Sequence, residues 1–204
     1  MTDTAGLLFA VELVAVLGAA FSGFAESQRK DMDVVGVFTV AFVTAFGGGT
    51  LRDVLLERRP FFWVEHENYV ILIFALSLLA TPIMRHAHRI IPNVGFIAAD
   101  AIGLGFFSIV GVSLALDAGM PTFTATMMGV ITGVFGGVLR DVILNEVPIV
   151  LRDNRPYATT AFLGCWFYVL MRGVGAAEAL ALWTSAGLIT ATRLVAWRND
   201  WSLK

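Results

Sequence analysis

Gly-Gly-Gly-Thr-Leu-Arg-Asp at residues 47–53 recurs as Gly-Gly-Val-Leu-Arg-Asp at residues 136–141, and each copy lies inside a long apolar stretch. Glycine in a helix interior costs about 1 kcal/mol relative to alanine. A charged side chain at the centre of a membrane span costs about 2.5–3.5 kcal/mol. Because the chain carries this costly combination twice, we interpret the two segments as its functional part.

The similarity between the two copies extends well beyond the glycines, at a constant spacing of 88 residues. Glu12 aligns with Asp100, so each half carries an acid in its first apolar span. Identical pairs outside the motif include Gly23 and Gly111, Met32 and Met120, Thr44 and Thr132, Leu56 and Leu144, Pro60 and Pro148, and Tyr69 and Tyr157. The pattern predicts two three-helix units followed by a seventh helix. An odd number of spans per unit makes the second unit inverted relative to the first.

The composition is that of a membrane protein. Of the 204 residues, 57% are hydrophobic and 15% are charged, against about 25% charged in soluble domains, and the mean hydropathy is +0.78. The net charge of −2 indicates no nucleic-acid partner. The single cysteine, Cys165, is expected to be a small buried apolar residue. The first residues lack the basic region of a signal peptide, so the first span is expected to be retained.

A membrane span needs about 20 mostly apolar residues, and polar or proline-containing breaks divide the chain into seven such segments. We predict one all-α transmembrane domain over residues 1–204, with repeat one at about 5–90, repeat two at about 93–175 and an extra helix at about 177–197. The predicted spans are 5–26, 33–57, 68–85, 94–116, 121–145, 156–173 and 177–197. Membrane lipids are the first expected partner.

Lysine and arginine in the short loops predict the orientation, because cytoplasmic loops are enriched in them. One side carries Arg29, Lys30, Arg85, Arg89, Arg152 and Arg155, together with Arg198 and Lys204 of the tail. The other side carries Arg58, Arg59 and Arg172. The N-terminus is therefore predicted outside and the C-terminus in the cytoplasm, for a multi-pass protein of the cell inner membrane.

The glycines predict a kink or break in the second and fifth spans near the middle of the membrane. Backbone carbonyls freed by a break are tolerated only where they face protein or water, and such carbonyls bind cations. Thr44 and Thr132, about one turn earlier, could add hydroxyl ligands, or could simply bond to the preceding helical turn. The residues predicted to form the kink are Gly47, Gly48, Gly49, Gly136 and Gly137.

The Arg-Asp pairs suggest a gate, because fixed positive charges in a cation pathway need neutralisation in one state and displacement in another. Adjacent residues point about 100° apart on a helix, so symmetry suggests crossed ion pairs of Arg52 with Asp141 and of Arg140 with Asp53. Asp53 could instead form a capping box with Thr50.

Two further acids, Glu12 and Asp100, are candidate partners for the arginines or could line a vestibule that attracts cations. Asp100 could equally lie solvated near the membrane interface.

The sequence contains no signature of an enzyme, a metal site or a cofactor. It has no Ser-His-Asp arrangement and no metal-ligand cluster. The segment at residues 47–52 lacks the Lys-Ser/Thr of a phosphate-binding loop.

The doubled motif on seven spans resembles the prokaryotic members of the trimeric intracellular cation (TRIC) channel family, whose bacterial members are also described as glycine-transporter-domain proteins. The resemblance covers essentially the whole chain. It implies a homotrimer in which each protomer encloses a pore for monovalent cations, chiefly potassium. Whether sodium also passes is not implied by the resemblance. It also implies that the glycines and Arg52 and Arg140 shape or gate that pore. Phe135 stands where the first copy has Gly47, which suggests a tighter second site.

Two other functions fit the same residues. The first is a secondary transporter of a small amino acid such as glycine, since inverted repeats with broken helices also serve transport. The second is a membrane scaffold in which the Arg-Asp pairs hold subunits together.

Overall fold

The computed structural model describes residues 4–87, 93–152 and 155–202. In these ranges seven helices of 16 residues or more are accompanied by two helices of four residues, without any strand. The loop predicted around Arg89 and Pro92, and the basic tail residue Lys204, lie outside the described residues. In chain order the helices are α1 Thr4–Arg29, α2 Val34–Leu55, α3 Phe62–Glu65, α4 Glu67–Ala87, α5 Asn93–Asp117, α6 Thr122–Ile143, α7 Ile149–Arg152, α8 Ala158–Gly173 and α9 Glu178–Arg198.

Each predicted span corresponds to one of the seven long helices, but their lengths differ. Within the described residues, five helices are long and apolar enough to cross a membrane, at Phe9–Arg29, Val34–Leu55, Val94–Asp117, Thr122–Ile143 and Glu178–Arg198. The apolar part of α4, Glu67–Leu79, is shorter. The 16 residues of α8 span about 24 Å, less than the bilayer core of about 30 Å. Membrane crossing by α4 and α8 remains a prediction.

The two three-helix units pack against each other through antiparallel helices. α1 contacts α5 and α2 contacts α6, while α9 packs on α5 and α8. In the first pair Gly18 lies against Gly103 and Ser22 lies near Asp100, so residue numbers rise along α1 as they fall along α5. Equivalent residues of the two units therefore lie toward opposite ends of the molecule.

The ends of α2 and α6 are built alike. One residue beyond each C-cap, Glu57 and Asn145 have positive φ angles of 54° and 56°. The next backbone N–H then donates to the carbonyl of Asp53 or Asp141, at 2.8 Å in both units. This is the hydrogen-bond pattern of a Schellman motif. It turns the chain back beside each Arg-Asp pair, where the short helices α3 and α7 follow.

Gly48 and Gly136 form the crossing point of α2 and α6. A Cβ atom on Gly48 would lie 2.1 Å from the carbonyl oxygen of Thr132, and a Cβ on Gly136 would lie 2.2 Å from that of Thr44. Real Cβ atoms essentially never come within 3.0 Å of a heavy atom of a packed neighbour. Only glycine therefore permits this backbone-to-backbone contact, which the repeat makes reciprocal.

The predicted break at the glycines is not found. α2 runs without interruption through Gly47, Gly48 and Gly49, and α6 through Gly136 and Gly137. The predicted break was wrong because it treated the low helix propensity of glycine as decisive, whereas a kink within each continuous helix stays a prediction. In the structure the close contact of the two helices keeps both segments helical, since tertiary packing routinely overrides propensity.

Candidate functional site

Each arginine of the doubled motif is bonded to the aspartate next to it. The Nε of Arg52 donates to Oδ1 of Asp53 at 2.9 Å, and its Nη2 lies 2.8 Å from the same oxygen. Arg140 and Asp141 repeat this arrangement, with both distances 2.8 Å. The two arginine side chains are 0% and 1% exposed, so both charges are sealed from solvent.

The predicted crossed pairs, Arg52 with Asp141 and Arg140 with Asp53, are therefore wrong. A guanidinium on its long flexible stem folds back to the adjacent carboxylate, even though the two Cβ atoms diverge. The crossing geometry also separates the two Arg-Asp pairs, Arg52 with Asp53 and Arg140 with Asp141, which we call the arginine centres. Each arginine lies four residues beyond its crossing glycine, in opposite directions, which places them about 12 Å apart along the helices.

The aspartates also hold the segments that follow α2 and α6. Oδ2 of Asp53 accepts the backbone N–H of Phe62, and Oδ2 of Asp141 accepts that of Ile149, both at 2.8 Å. These N–H groups are the first of α3 and α7. The predicted capping box fails, because the Thr50 hydroxyl donates to the carbonyl of Phe46 within the helix. Each aspartate instead neutralises its arginine and anchors the next helix.

In the second repeat the arginine centre is closed by further partners. Nη1 of Arg140 donates to Oδ1 of Asp100 at 3.0 Å and also to the hydroxyl of Ser22. The hydroxyl of Tyr157 donates to Oδ2 of Asp100 at 2.8 Å. Asp100 is thus a partner of Arg140, and with 8% exposure it is not the solvated interfacial residue of the alternative interpretation. The network joins α1, α5, α6 and the start of α8.

The first repeat lacks this closure. Glu12, the counterpart of Asp100, is 8% exposed, and no hydrogen bond or ion pair from the described residues reaches its carboxylate. Tyr69, the counterpart of Tyr157, donates to the carbonyl of Phe9 at 3.3 Å instead. Nη1 of Arg52 is buried without a hydrogen-bond partner in the described part of the chain.

The remaining predicted residues lie at or beside the helix crossing. The hydroxyls of Thr44 and Thr132 donate to the carbonyls of the preceding turn, at 2.6 and 2.7 Å, as the simpler interpretation predicts. Gly49 and Gly137 lie beside the guanidinium groups. A Cβ there would be 3.7 Å from an Nη2 atom in each case. Gly47 contacts the side chain of Leu139.

Cavities lie at both ends of the molecule, beside the two Arg-Asp pairs. Near Glu12 a cavity of about 200 Å³ is lined by α1, α3 and the end of α5. At the opposite end a cavity of about 330 Å³ borders Asp100, Arg152, Arg155 and Arg193. A third, of about 270 Å³, lies beside Asp141. The cavity near Asp100 is therefore lined by three arginines, whereas the cavity near Glu12 is lined by one, Arg58.

A salt bridge links the two repeats beside the cavity at Asp141. Lys30 donates to Glu146 at 2.5 Å, linking the turn after α1 to the turn after α6. The ammonium of Lys30 holds the pKa of the Glu146 carboxyl below its usual value, chiefly through this hydrogen bond.

The sequence does not predict the contacts that three residues make at this network. Tyr157 stands out in the sequence only as one of the pairs at the 88-residue spacing. For Ser22 the sequence predicts only a small residue that permits close helix contact, and because its counterpart is Val110 it carries no repeat signal. Arg193 lies outside both repeats, in α9, where its guanidinium carbon stands 4.7 Å from the centre of the Tyr157 ring.

Comparison with known proteins confirms the repeat. The family model described as "Glycine transporter" matches residues 9–85 and again residues 97–173, ranges that differ by the 88-residue spacing. A UPF0126 membrane protein of Vibrio cholerae is 37% identical over 180 residues, which cover 86% of this chain and 73% of that protein. The inner membrane protein YadS of Escherichia coli is 37% identical over 158 residues, covering 78% and 75%.

Solved structures share the whole fold. A structure from work on conductance through TRIC cation channels has a TM-score of 0.84 at 33% identity, covering 96% of this chain and 95% of the other. The TRIC orthologue from Rhodobacter sphaeroides has a TM-score of 0.82 at 34% identity, covering 94% and 98%. The repeat, the fold and the relatives together show that the chain belongs to the family of glycine-transporter-domain membrane proteins that includes the TRIC channels.

Proposed function

We propose that this protein is a homotrimeric channel for monovalent cations, chiefly potassium, with a pore in each protomer. The observation that carries the proposal is the likeness to a TRIC cation-channel structure over 96% of the chain at 33% identity. The geometry supports it, because two inverted arginine centres stand between cavities at opposite ends of the molecule. The loop charges favour an inner membrane location with the C-terminus in the cytoplasm.

The conformation described is the closed one in this proposal. The path between the cavities is interrupted by the contact of Gly48 with Gly136 and by the sealed guanidinium groups of Arg52 and Arg140. Opening requires α2 and α6 to separate at the glycines, where the absence of side chains allows bending. Release of Arg140 from Asp100 would accompany that movement.

Separation of the helices would expose ligands for a cation. The carbonyl oxygens of Thr44 and Thr132 face the opposing glycines at the crossing. The hydroxyls belong to the same two threonines, which stand one helical turn before Gly48 and Gly136. Oxygen ligands of this kind replace the lost hydration of a permeating cation. Arg52 and Arg140 move aside when the channel opens, so they act as the gate and do not form part of the cation-binding site.

Thr44→Val tests this role of the hydroxyl. Because the hydroxyl is bonded within its own helix, we expect the substitution to change stability by no more than about 1 kcal/mol. If it is also a cation ligand, unitary potassium conductance should fall about twofold or more. Thr39→Val is the matched control, since Thr39 makes the same type of bond to Val35 at an exposed position. Equal conductance in both variants and the wild type would remove Thr44 from the pathway.

Single-channel recording of purified protein in a planar bilayer tests the function itself. We expect unitary currents carried by potassium and absent when an impermeant organic cation replaces it. Replacing Arg140 should change open probability or conductance more than it changes oligomer stability. Stable protein that carries no unitary current under any potassium gradient would contradict the proposal.

The second candidate function is transport of a small amino acid, favoured by the description of the matching family model as a glycine transporter. Proteoliposomes separate the two. A transporter shows saturable glycine uptake driven by an ion gradient, without unitary currents. A channel shows potassium flux that glycine neither saturates nor requires.

A further inference from the structure

The carboxylate of Glu12 is a buried charge that the described residues leave without a bonded partner. Its side chain is 8% exposed, and its counterpart Asp100 receives hydrogen bonds from Arg140, Ser22 and Tyr157. Its oxygens are not among the fully buried polar atoms that lack a partner, so the carboxylate is open to the adjoining cavity, which Glu12 lines. Its place in the structure therefore points to a ligand.

Two differences between the repeats, one in the sequence and one in the direction of a side chain, free this carboxylate. Val110 occupies the position equivalent to Ser22, so one hydroxyl donor is missing. Tyr69 points its hydroxyl at the Phe9 carbonyl and not at Glu12. The first repeat thus has the acid but not the donors that occupy it in the second.

The free carboxylate borders a cavity of about 200 Å³. This is room for about six water molecules at about 30 Å³ each, or for one small organic ion. The other lining residues are Phe9, Arg58, Phe62, Glu65, His66 and Leu114.

The charges around this cavity favour a cation. Two carboxylates, those of Glu12 and Glu65, line the cavity together with one guanidinium group, that of Arg58. Arg52 lies 2.8 Å from Asp53, and this pair adds no net charge. The formal charge around the cavity is therefore −1. The arginine-rich cavity near Asp100 has the opposite balance.

Aromatic rings form the apolar wall of the same cavity. Phe9, Phe62 and His66 line it, and the ring centroid of His66 lies 5.1 Å from that of Phe62 and 6.2 Å from that of Phe9. Aromatic faces attract cations, and clustered rings recognise methylated ammonium groups in particular. Aromatic rings combined with a carboxylate favour an organic ammonium ion, whose methyl groups contact the rings, over a metal ion.

We propose that this cavity, which we name the first-repeat cavity, binds a small N-methylated ammonium cation. Its positive nitrogen lies at the carboxylate of Glu12 and its methyl groups lie against Phe9, Phe62 and His66. Binding at this site does not require ion conduction, so it is tested independently of the proposed channel.

Equilibrium binding of radiolabelled tetramethylammonium to the purified protein in detergent tests the proposal. We expect saturable binding of one ion per protomer. Glu12→Gln keeps the shape but removes the charge, and should weaken binding by about tenfold or more. Glu146→Gln is the matched control, because it removes an exposed acid at the opposite end and should leave binding unchanged.

A second variant tests the aromatic wall without touching the charge. Phe9→Leu retains an apolar side chain at a half-exposed position. It should weaken tetramethylammonium binding about threefold. The concentration of potassium needed to displace the label should stay the same as in the wild type. Three results would overturn the proposal: no saturable binding by the wild type, full binding by Glu12→Gln, or potassium or glycine displacing the label as effectively as unlabelled tetramethylammonium.

Discussion

Gly48→Ala and Gly136→Ala are each expected to lower the free energy of unfolding by about 3 kcal/mol. The added methyl group would lie 2.1 or 2.2 Å from a carbonyl oxygen of the opposing helix. Neither backbone can yield without separating α2 from α6. Thermal unfolding followed by size-exclusion chromatography in detergent measures the loss.

Two alanine substitutions serve as controls for this prediction. Gly187, in α9, has no neighbouring atom within 4 Å of a built Cβ, so Gly187→Ala should be neutral or stabilising through helix propensity alone. At Gly49 the nearest atom would be at 3.7 Å, so alanine there should be tolerated. Wild-type stability in Gly48→Ala would show that the crossing is not as close as described.

Asp100→Asn is expected to produce the largest change in gating. Arg140 would lose one of its two carboxylates, and breaking a buried ion pair by removing one partner costs about 3–5 kcal/mol. Asp141 still pairs with Arg140, so we expect a loss of about 2 kcal/mol in stability. Because the lost contacts belong to the closed arrangement, open probability should rise about tenfold or more.

The first repeat supplies the control for Asp100→Asn. Glu12→Gln changes the equivalent acid but breaks no hydrogen bond among the described residues. Removal of its unpaired charge should leave the unfolding temperature unchanged or raise it. If both variants destabilised the protein equally and neither altered open probability, the closed network around Asp100 would have no role in gating.

The architecture was predictable because it depends on patterns that act over the whole chain. The 88-residue spacing revealed the two units, and polar breaks between apolar stretches located the helices to within a few residues. Inversion followed from the odd number of spans. These features depend on hydrophobicity and connectivity, which a single sequence displays directly.

The details of the site were not predictable, because they depend on contacts between helices. Whether Gly48 breaks a helix or admits a neighbouring backbone depends on what lies opposite, and that is a property of the crossing. The partner of Arg52 depends on how its side chain folds, which helical angles between Cβ atoms do not determine. The role of Ser22 appears only when α1 is placed beside α5.

Single-channel recording of Tyr157→Phe beside Tyr69→Phe tests the central claim most directly, that the Arg140 network holds the pore closed. Tyr157→Phe removes one hydrogen bond to Asp100 and little else, whereas the equivalent change in the first repeat removes a long bond to a backbone carbonyl. A net hydrogen bond contributes about 1 kcal/mol. We therefore predict that potassium open probability rises about fivefold in Tyr157→Phe, with unitary conductance unchanged, and stays at the wild-type value in Tyr69→Phe. Equal open probability in both variants and the wild type, or the absence of potassium currents from all three, would contradict the account.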